Sequence, residues 1–324
     1  MLNRRLRDLT SSALGLGCMG FATVYGRVDP TEARATIAAA LDAGVTMLDT
    51  ADMYGAGASE RFVGEAIKGR RDDLVIATKT GIVTSRFFGL PTGLDARPER
   101  IGPALDASLQ RLGVDHVDLY YLHRVDPKVP IEESVGAMAR LVEQGKVLHL
   151  GVSETTPDEL SRAHATHPIT ALQTEWSLFS RDLEREVVPT ARELGIGIVA
   201  YSPLGRGMLT GSAQATTKLP LIDYRRFLPR WRKANLQTNL RSVEVVRAVG
   251  HRLGATPGQI ALAWVLARGD DVVPIPGTKR VERLRENLGA LDVRLDEAAL
   301  AELDGLSVAG DRYGSAGGVP SATR

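Results

Sequence analysis

Short apolar runs and amphipathic stretches alternate along almost the whole chain. The runs fall at 14–19 (LGLGCM), 45–49 (VTMLD), 74–79 (LVIATK), 117–123 (VDLYYLH), 148–153 (LHLGVS), 171–176 (ALQTEW), 196–202 (IGIVAYS) and 272–276 (VVPIP). They lack strict apolar–polar alternation, which suits strands buried on both faces of a parallel sheet. Helical spacing fills the gaps near 30–43, 59–68, 98–112, 131–144, 157–166, 184–194 and 257–268, and follows the last run near 280–289. Pro30-Thr31-Glu32 and Thr156-Pro157-Asp158-Glu159 have the form of helix starts. Gly44, Gly113, Gly145 and Gly195 punctuate helix ends. Strands alternating with helices in this way predict an α/β fold, a (β/α)8 TIM barrel, as a single domain over 1–324. Residues 1–13 are expected to form an N-terminal hairpin over one barrel mouth. Residues 203–235 make a long connection after the seventh strand, followed by an extra helical pattern near 236–253. The Gly/Ser-rich end, 309–324, reads as a mobile tail.

A doubly wound open sheet is the rival, and Gly15-Leu16-Gly17-Cys18-Met19-Gly20 fits its GxGxxG fingerprint. That fingerprint needs a helix starting inside the glycine loop, to hold a pyrophosphate at its N-terminus. Here FATVYGRVD follows, and the helical pattern waits until Pro30. The alternative use of these glycines is to let a crowded first strand and its loop turn. Composition narrows the classes further. A net charge of +1 lacks the basic excess of a nucleic-acid binder. A single cysteine, Cys18, rules out an internal disulfide and a multi-cysteine metal site. The start MLNRRLRDLTSS has no apolar h-region, and no window has 18 uninterrupted apolar residues, so neither a signal peptide nor a membrane span is expected. The expected location is cytoplasmic.

In a barrel of this kind the C-terminal strand ends carry the chemistry. They carry Asp49 with Tyr54 in its loop, Lys79, His123, Ser153-Glu154, Gln173 with Trp176, Tyr201-Ser202 and Gly277-Thr278-Lys279. Singly, each has a plain alternative, such as a core histidine or a snorkelling lysine. Together, Asp49, Tyr54, Lys79 and His123 form a proton-donating set. Lys79 beside the Tyr54 hydroxyl should favour the phenolate and lower its pKa. Asp49 would keep Lys79 charged, and His123 would orient a carbonyl. Carbonyl reduction also needs a hydride that no side chain supplies, so a cofactor is required. The carboxylate and histidine pairs of a metal-dependent hydrolase are absent, and no metal is expected.

The blocks LDTADMYG, VIATKTG, LYYLH, LGVSE, LQTEWS, VAYSPLGRGML and PIPGTKRVERLRENLGAL, in this order, resemble the aldo-keto reductase superfamily over essentially the whole chain. HRVDP and QTEWS are most similar to bacterial and plant members acting on small carbonyls. The resemblance implies a catalytic tetrad of Asp49, Tyr54, Lys79 and His123, with Tyr54 as general acid, and an extended nicotinamide cofactor. Ser153 and Gln173 match carboxamide-binding positions, as does Glu154, which stands where many members have Asn. Tyr201 matches the aromatic that stacks on the nicotinamide. Ser202, Leu204, Gly205 and Gly207 match the pyrophosphate loop. Thr278, Lys279, Arg283, Glu286 and Asn287 match or neighbour the adenosine contacts. Gly277 stands where many members have Lys; Lys279, Arg280 and Arg283 would supply the positive charge, favouring NADPH over NADH. Met19, Tyr25, Phe87, Phe88, Trp176 and Trp231 are candidate substrate-pocket residues. The partner is then a small carbonyl compound, with no nucleic acid or membrane. The oligomeric state is not legible. The alternative is a nucleotide-binding regulatory or redox-sensing subunit, like the channel-associated members of the superfamily.

Overall fold

All eight apolar runs contribute a strand to one parallel sheet in the computed structural model, which describes residues 1–22, 28–85, 91–219 and 223–313. A hairpin comes first, β1 (Asn3–Leu6) against β2 (Leu9–Ser12). The sheet begins with β3 (Leu16–Gly17), β4 (Met47–Asp49) and β5 (Val75–Thr80). A small antiparallel pair, β6 (Ile82–Thr84) and β7 (Pro91–Leu94), interrupts it. It resumes with β8 (Val117–Leu122), β9 (Val147–Ser153), β10 (Ile169–Glu175), β11 (Gly197–Tyr201) and β12 (Val272–Pro274). Spatial order follows chain order, β3-β4-β5-β8-β9-β10-β11-β12. The crossovers are helices α1 (Pro30–Asp42), α2 (Ala58–Ala66), α3 (Pro98–Leu112), α4 (Ile131–Glu143), α5 (Pro157–Thr166), α6 (Val187–Glu193), α7 (Lys233–Leu253) and α8 (Pro257–Leu266). After β12 come α9 (Val281–Leu288) and α10 (Glu297–Asp304). The start of α5 shows why the sequence signal is readable. Thr156 Oγ1 accepts from Glu159 N at 3.2 Å while the Glu159 carboxylate accepts from Thr156 N at 2.8 Å, a reciprocal cap.

The first and last strands close the barrel. Gly15 N donates to Pro274 O at 3.0 Å, Gly17 N to Pro276 O at 3.3 Å, and Gly17 bridges Gly277 in parallel. A Cβ on Gly17 would stand 2.7 Å from Ile275 O, and one on Gly277 would stand 3.1 Å from Gly17 O. The glycines of the first run, and Gly277, therefore serve the seam, where two backbones need close approach. No helix opens inside that loop; a short 3-10 turn, Cys18–Phe21, follows β3.

Strand side chains split between two buried layers. Met47, Val75, Ala77, Leu119, Tyr121, Ala171, Val199 and Val273 point into the barrel, while Leu48, Ile76, Tyr120, Leu172 and Ile198 pack outward against the helices. Leu6 and Leu9 of the hairpin join the inner layer, and Arg4 donates to Leu266 O at 2.7 Å and to Val272 O, so the hairpin plugs the N-terminal mouth. The β6–β7 pair and α10 are additions to the predicted elements. The first is a short pairing across Pro and Gly with no alternation to reveal it. The second is only eight residues, capped by Asp296 through Ala299 N at 2.7 Å. The connection over 203–235 is built largely from short 3-10 turns at Gly205–Thr210, Tyr224–Phe227 and Pro229–Trp231.

The chain end meets a long reach of α7. Asn239, fully buried, brackets Ala309, donating to its O at 3.0 Å and accepting from its N at 2.8 Å. Ser242 Oγ donates to Ser307 O at 2.6 Å. Residues 309–313 are thus docked, and 314–324 lie outside the described residues. Among the described residues no helix is long and apolar enough to cross a membrane.

Candidate active site

Asp49 ends β4 and Lys79 lies near the end of β5, so parallel pairing brings them to one barrel mouth. Lys79 Nζ donates to Asp49 Oδ1 at 2.5 Å and to Thr50 O at 2.7 Å, and Gln173 Nε2 of β10 donates to Asp49 Oδ2 at 2.7 Å. The lysine is wholly out of water. Burial alone would discharge it, but Asp49 outweighs that and holds its pKa above the ordinary lysine value.

Tyr54 follows in the loop. Gly55, Ala56 and Gly57 all have left-handed backbone (φ 61°, 52° and 81°), and this run turns the chain back before α2. The turn leaves Lys79 Nζ 5.2 Å from the Tyr54 ring centroid. His123, just past β8, donates its backbone N–H to Thr80 O at 2.8 Å and so continues the ladder. Its ring meets Tyr54 edge-on, centroids 5.9 Å apart at 83°. Four groups from three adjacent strand ends thus converge. Burial pushes the Tyr54 hydroxyl up, and the opposing pull of Lys79 does not overcome it. The expected lowering of this pKa is therefore corrected: the phenol is held protonated. Burial, then Arg124 and Lys79, keep His123 well below the ordinary histidine value, so it is neutral. His123 Nδ1 is buried without a hydrogen-bond partner among the described residues.

Beside this set lies a second one. Ser153 Oγ accepts from Arg124 at 3.0 Å, and Tyr201, ending β11, receives Arg124 at 3.4 Å on its hydroxyl. Glu154 (φ 55°) pairs with Arg312 at 3.0 Å. Glu175, 1% exposed, pairs with Arg206 at 3.0 Å and Arg230 at 3.4 Å. Burial would raise both carboxyl groups, yet the arginines outweigh it and hold them below their usual range. The turn after β11 is left-handed at Ser202, Gly205, Arg206 and Gly207 (φ 49°, 55°, 56° and 93°), with Leu204 O accepting from Gly207 N at 3.0 Å. Beyond the seam, Thr278 Oγ1 accepts from Arg280 N at 3.2 Å, Arg283 pairs with Glu286 at 2.5 Å, and Asn287 is buried on α9.

A profile of the Aldo/keto reductase family matches residues 13–308. The chain belongs to the aldo/keto reductase family. It is 46% identical over 310 residues to a probable aldo-keto reductase of Glycine max, covering 93% of this chain and 88% of that one. Among solved structures it is similar to a glycerol dehydrogenase from Gluconobacter oxydans (TM-score 0.85, 30% identity, 94% of each chain). It is also similar to an aldo-keto reductase from Bacillus halodurans in its holo form (TM-score 0.76, 28% identity, 95% of this chain and 96% of that one). As an aldo/keto reductase the protein is an NAD(P)H-dependent oxidoreductase with a (β/α)8 fold.

Not every candidate comes together in this aldo/keto reductase. Trp176 is 1% exposed in the outer core, its Nε1 bound to Glu184 at 2.9 Å. Trp231 is also packed in the core, its Nε1 on Ala215 O at 2.9 Å. Met19 is half-buried in the turn after β3. Tyr25, Phe87 and Phe88 lie outside the described residues. Conversely, Arg124, Glu175, Arg206, Arg230, Arg312 and Tyr313 cluster here, although sequence reasoning assigns none of them individually to this site. HRVDP and GDRY contain two of these arginines, but nothing in the spacing ties them to Ser153 or Glu154.

Proposed function

We propose that the protein reduces an aldehyde or ketone to an alcohol with NADPH, that Asp49, Tyr54, Lys79 and His123 form its catalytic tetrad, and that Tyr54 is the general acid. The observation that carries this reading is a protonated, partly exposed phenol between a buried ammonium and a neutral imidazole. A general acid must hold its proton until the carbonyl oxygen gains charge. Burial keeps it there. Lys79, fixed in its charged form by Asp49, then lowers the cost of the phenolate left behind. His123, being neutral, donates one ring N–H to the carbonyl oxygen and turns it toward Tyr54.

The donor set fits a nicotinamide dinucleotide. Tyr201 offers a ring, Ser153 and Gln173 offer polar groups for the carboxamide, and the left-handed turn over Ser202, Leu204, Gly205 and Gly207 would line a pyrophosphate. Thr278, Lys279, Arg283, Glu286 and Asn287 would meet the adenosine end, past the Gly277 seam, with Lys279 and Arg283 toward a 2′-phosphate. When bound, the cofactor supplies the hydride that ends on the carbonyl carbon. On the same reading the whole chain is one barrel domain acting in the cytoplasm. The test is nicotinamide absorbance during turnover of an aldehyde, ketone and keto-sugar panel by wild type and Tyr54→Phe. The variant should bind NADPH normally and lose roughly 10²–10⁴-fold in rate. Tight NADPH binding with no turnover of any carbonyl by wild type would sink the reductase reading.

A further inference from the structure

Glu154 is tied up in a way a carboxamide acceptor need not be. Its Oε1 accepts from Glu175 N at 2.8 Å, Thr174 Oγ1 at 3.1 Å and Arg312 at 3.2 Å, while Arg312 also reaches Oε2 at 3.0 Å. The guanidinium and carboxylate are only 9% and 3% exposed. Three donors on one oxygen and a forked guanidinium across both leave this carboxylate ionised and occupied. Its arginine comes from 158 residues away. The strap that delivers it is specific at successive points. Buried Asn239 brackets Ala309, Arg230 Nε donates to Gly310 O at 3.4 Å, and Gly310 (φ 87°) passes where a Cβ would stand 3.0 Å from the Pro229 carbonyl carbon. Tyr313 then sets its hydroxyl 3.2 Å from that of Tyr201, with Arg206 stacked 4.6 Å from its ring centroid.

With Ser153, Gln173 and Tyr201 receiving the nicotinamide, as in the reductase reading on which this inference rests, the Glu154–Arg312 pair adjoins the redox ring. The oxidised nicotinamide ring carries a positive charge and the reduced ring carries none. A bare carboxylate at Glu154 would therefore favour the oxidised cofactor and slow its exchange for the reduced one. We propose that Arg312 is a cofactor-positioning residue that acts through Glu154: it neutralises this carboxylate, so that the site does not prefer NADP+ over NADPH. A buried pair of this kind gives little net stability. Its position between the nicotinamide platform and the chain end gives it an electrostatic use instead.

The test is a pair of titrations, NADP+ and NADPH, into the full-length protein, read by tryptophan fluorescence. Removing one charge at close range in protein should move the ratio of the two Kd values by about tenfold. Arg312→Ala should shift it toward NADP+, and Glu154→Gln, which removes the carboxylate and keeps the arginine's charge, should shift it toward NADPH. The double variant should return near the wild-type ratio, and Arg312→Lys should stay close to it. If Arg312→Ala does not fold, the opposite sign expected of Glu154→Gln carries the test. Equal weakening of both nucleotides in the single variants would show a structural role and overturn the proposal while leaving the cofactor site intact. A wild type that binds neither nucleotide would remove the cofactor reading and this proposal with it.

Discussion

Two halves of the same barrel mouth are built on different principles. On the β4, β5 and β8 side, one ammonium meets one carboxylate, flanked by a phenol and an imidazole that burial keeps neutral. All four residues come from one stretch of chain, 49–123, at three adjacent strand ends. On the β9, β10 and β11 side, four guanidiniums, of Arg124, Arg206, Arg230 and Arg312, surround two carboxylates, Glu154 and Glu175. They are gathered from strand ends, a turn, a connection and the chain end. The first half is balanced and has one partner for each charge. The second carries an excess of positive charge, suited to an anionic ligand such as a pyrophosphate, and shares each role among several groups.

That difference predicts unequal tolerance of substitution. Asp49→Ala would leave a buried ammonium without its carboxylate partner and should cost about 3–5 kcal/mol. Arg230→Ala leaves Glu175 still paired with Arg206 at 3.0 Å and with Ser180 at 2.8 Å, and should cost less, about 1–3 kcal/mol. Denaturant unfolding of the two variants measures both. Equal losses would break the contrast between a single-partner pair and a shared network.

The same contrast explains what the sequence can convey. The convergence of Asp49, Lys79 and His123 is legible because strand position fixes where a side chain points: each sits at or just past the end of an apolar run. The seam glycines are legible as a crowded first strand, though their partner Gly277 is not. The Arg312–Glu154 and Arg230–Glu175 pairs are not legible, because nothing local couples residues separated by 158 and 55 positions. Ala309 to Tyr313 reads as tail on composition, since Gly and Ser dominate the residues after it. Its anchor is Asn239, an interior residue of α7 that periodicity alone marks only as helical. Trp176 misleads for the opposite reason. It follows a strand end, yet it turns into the outer core and satisfies its indole on Glu184. The Tyr54 pKa departs from expectation because proximity to Lys79 is visible in sequence logic and the depth of burial is not.

Past the seam, positive charge continues through Lys279, Arg280 and Arg283 toward the proposed adenosine end. Replacing Lys279 and Arg283 together by Ala should raise KM for NADPH by roughly tenfold or more and leave KM for NADH nearly unchanged, one lost charge-assisted contact being worth about 1.5–3 kcal/mol. Arg283 enters this prediction already paired with Glu286 at 2.5 Å. Steady-state KM values for both nucleotides decide it. Equal increases would mean that these side chains shape α9 rather than read a phosphate, and would confine the anion-seeking half to the β9–β11 side.

The smallest effect probes a carboxyl near Tyr54 that is satisfied on one side only. Asp52 Oδ1 is buried without a hydrogen-bond partner among the described residues, whereas Glu154 and Glu175 are engaged on all sides. Burial, and then Glu60, push the Asp52 carboxyl up to about 7. Its pKa is raised on folding, so the folded protein holds a proton that the unfolded chain releases. The stability this contributes is fully present below the ordinary carboxyl value, falls as pH rises toward 7, and is flat above that. Asp52→Asn carries no such proton. The Tm of the variant minus that of the wild type should therefore grow between pH 5 and pH 7.5, with a stability difference of about 1–3 kcal/mol once partial exposure is allowed for. A difference that stays constant across that range would show that Asp52 ionises normally in the fold, and the tetrad side would then be as well compensated as the arginine-rich side.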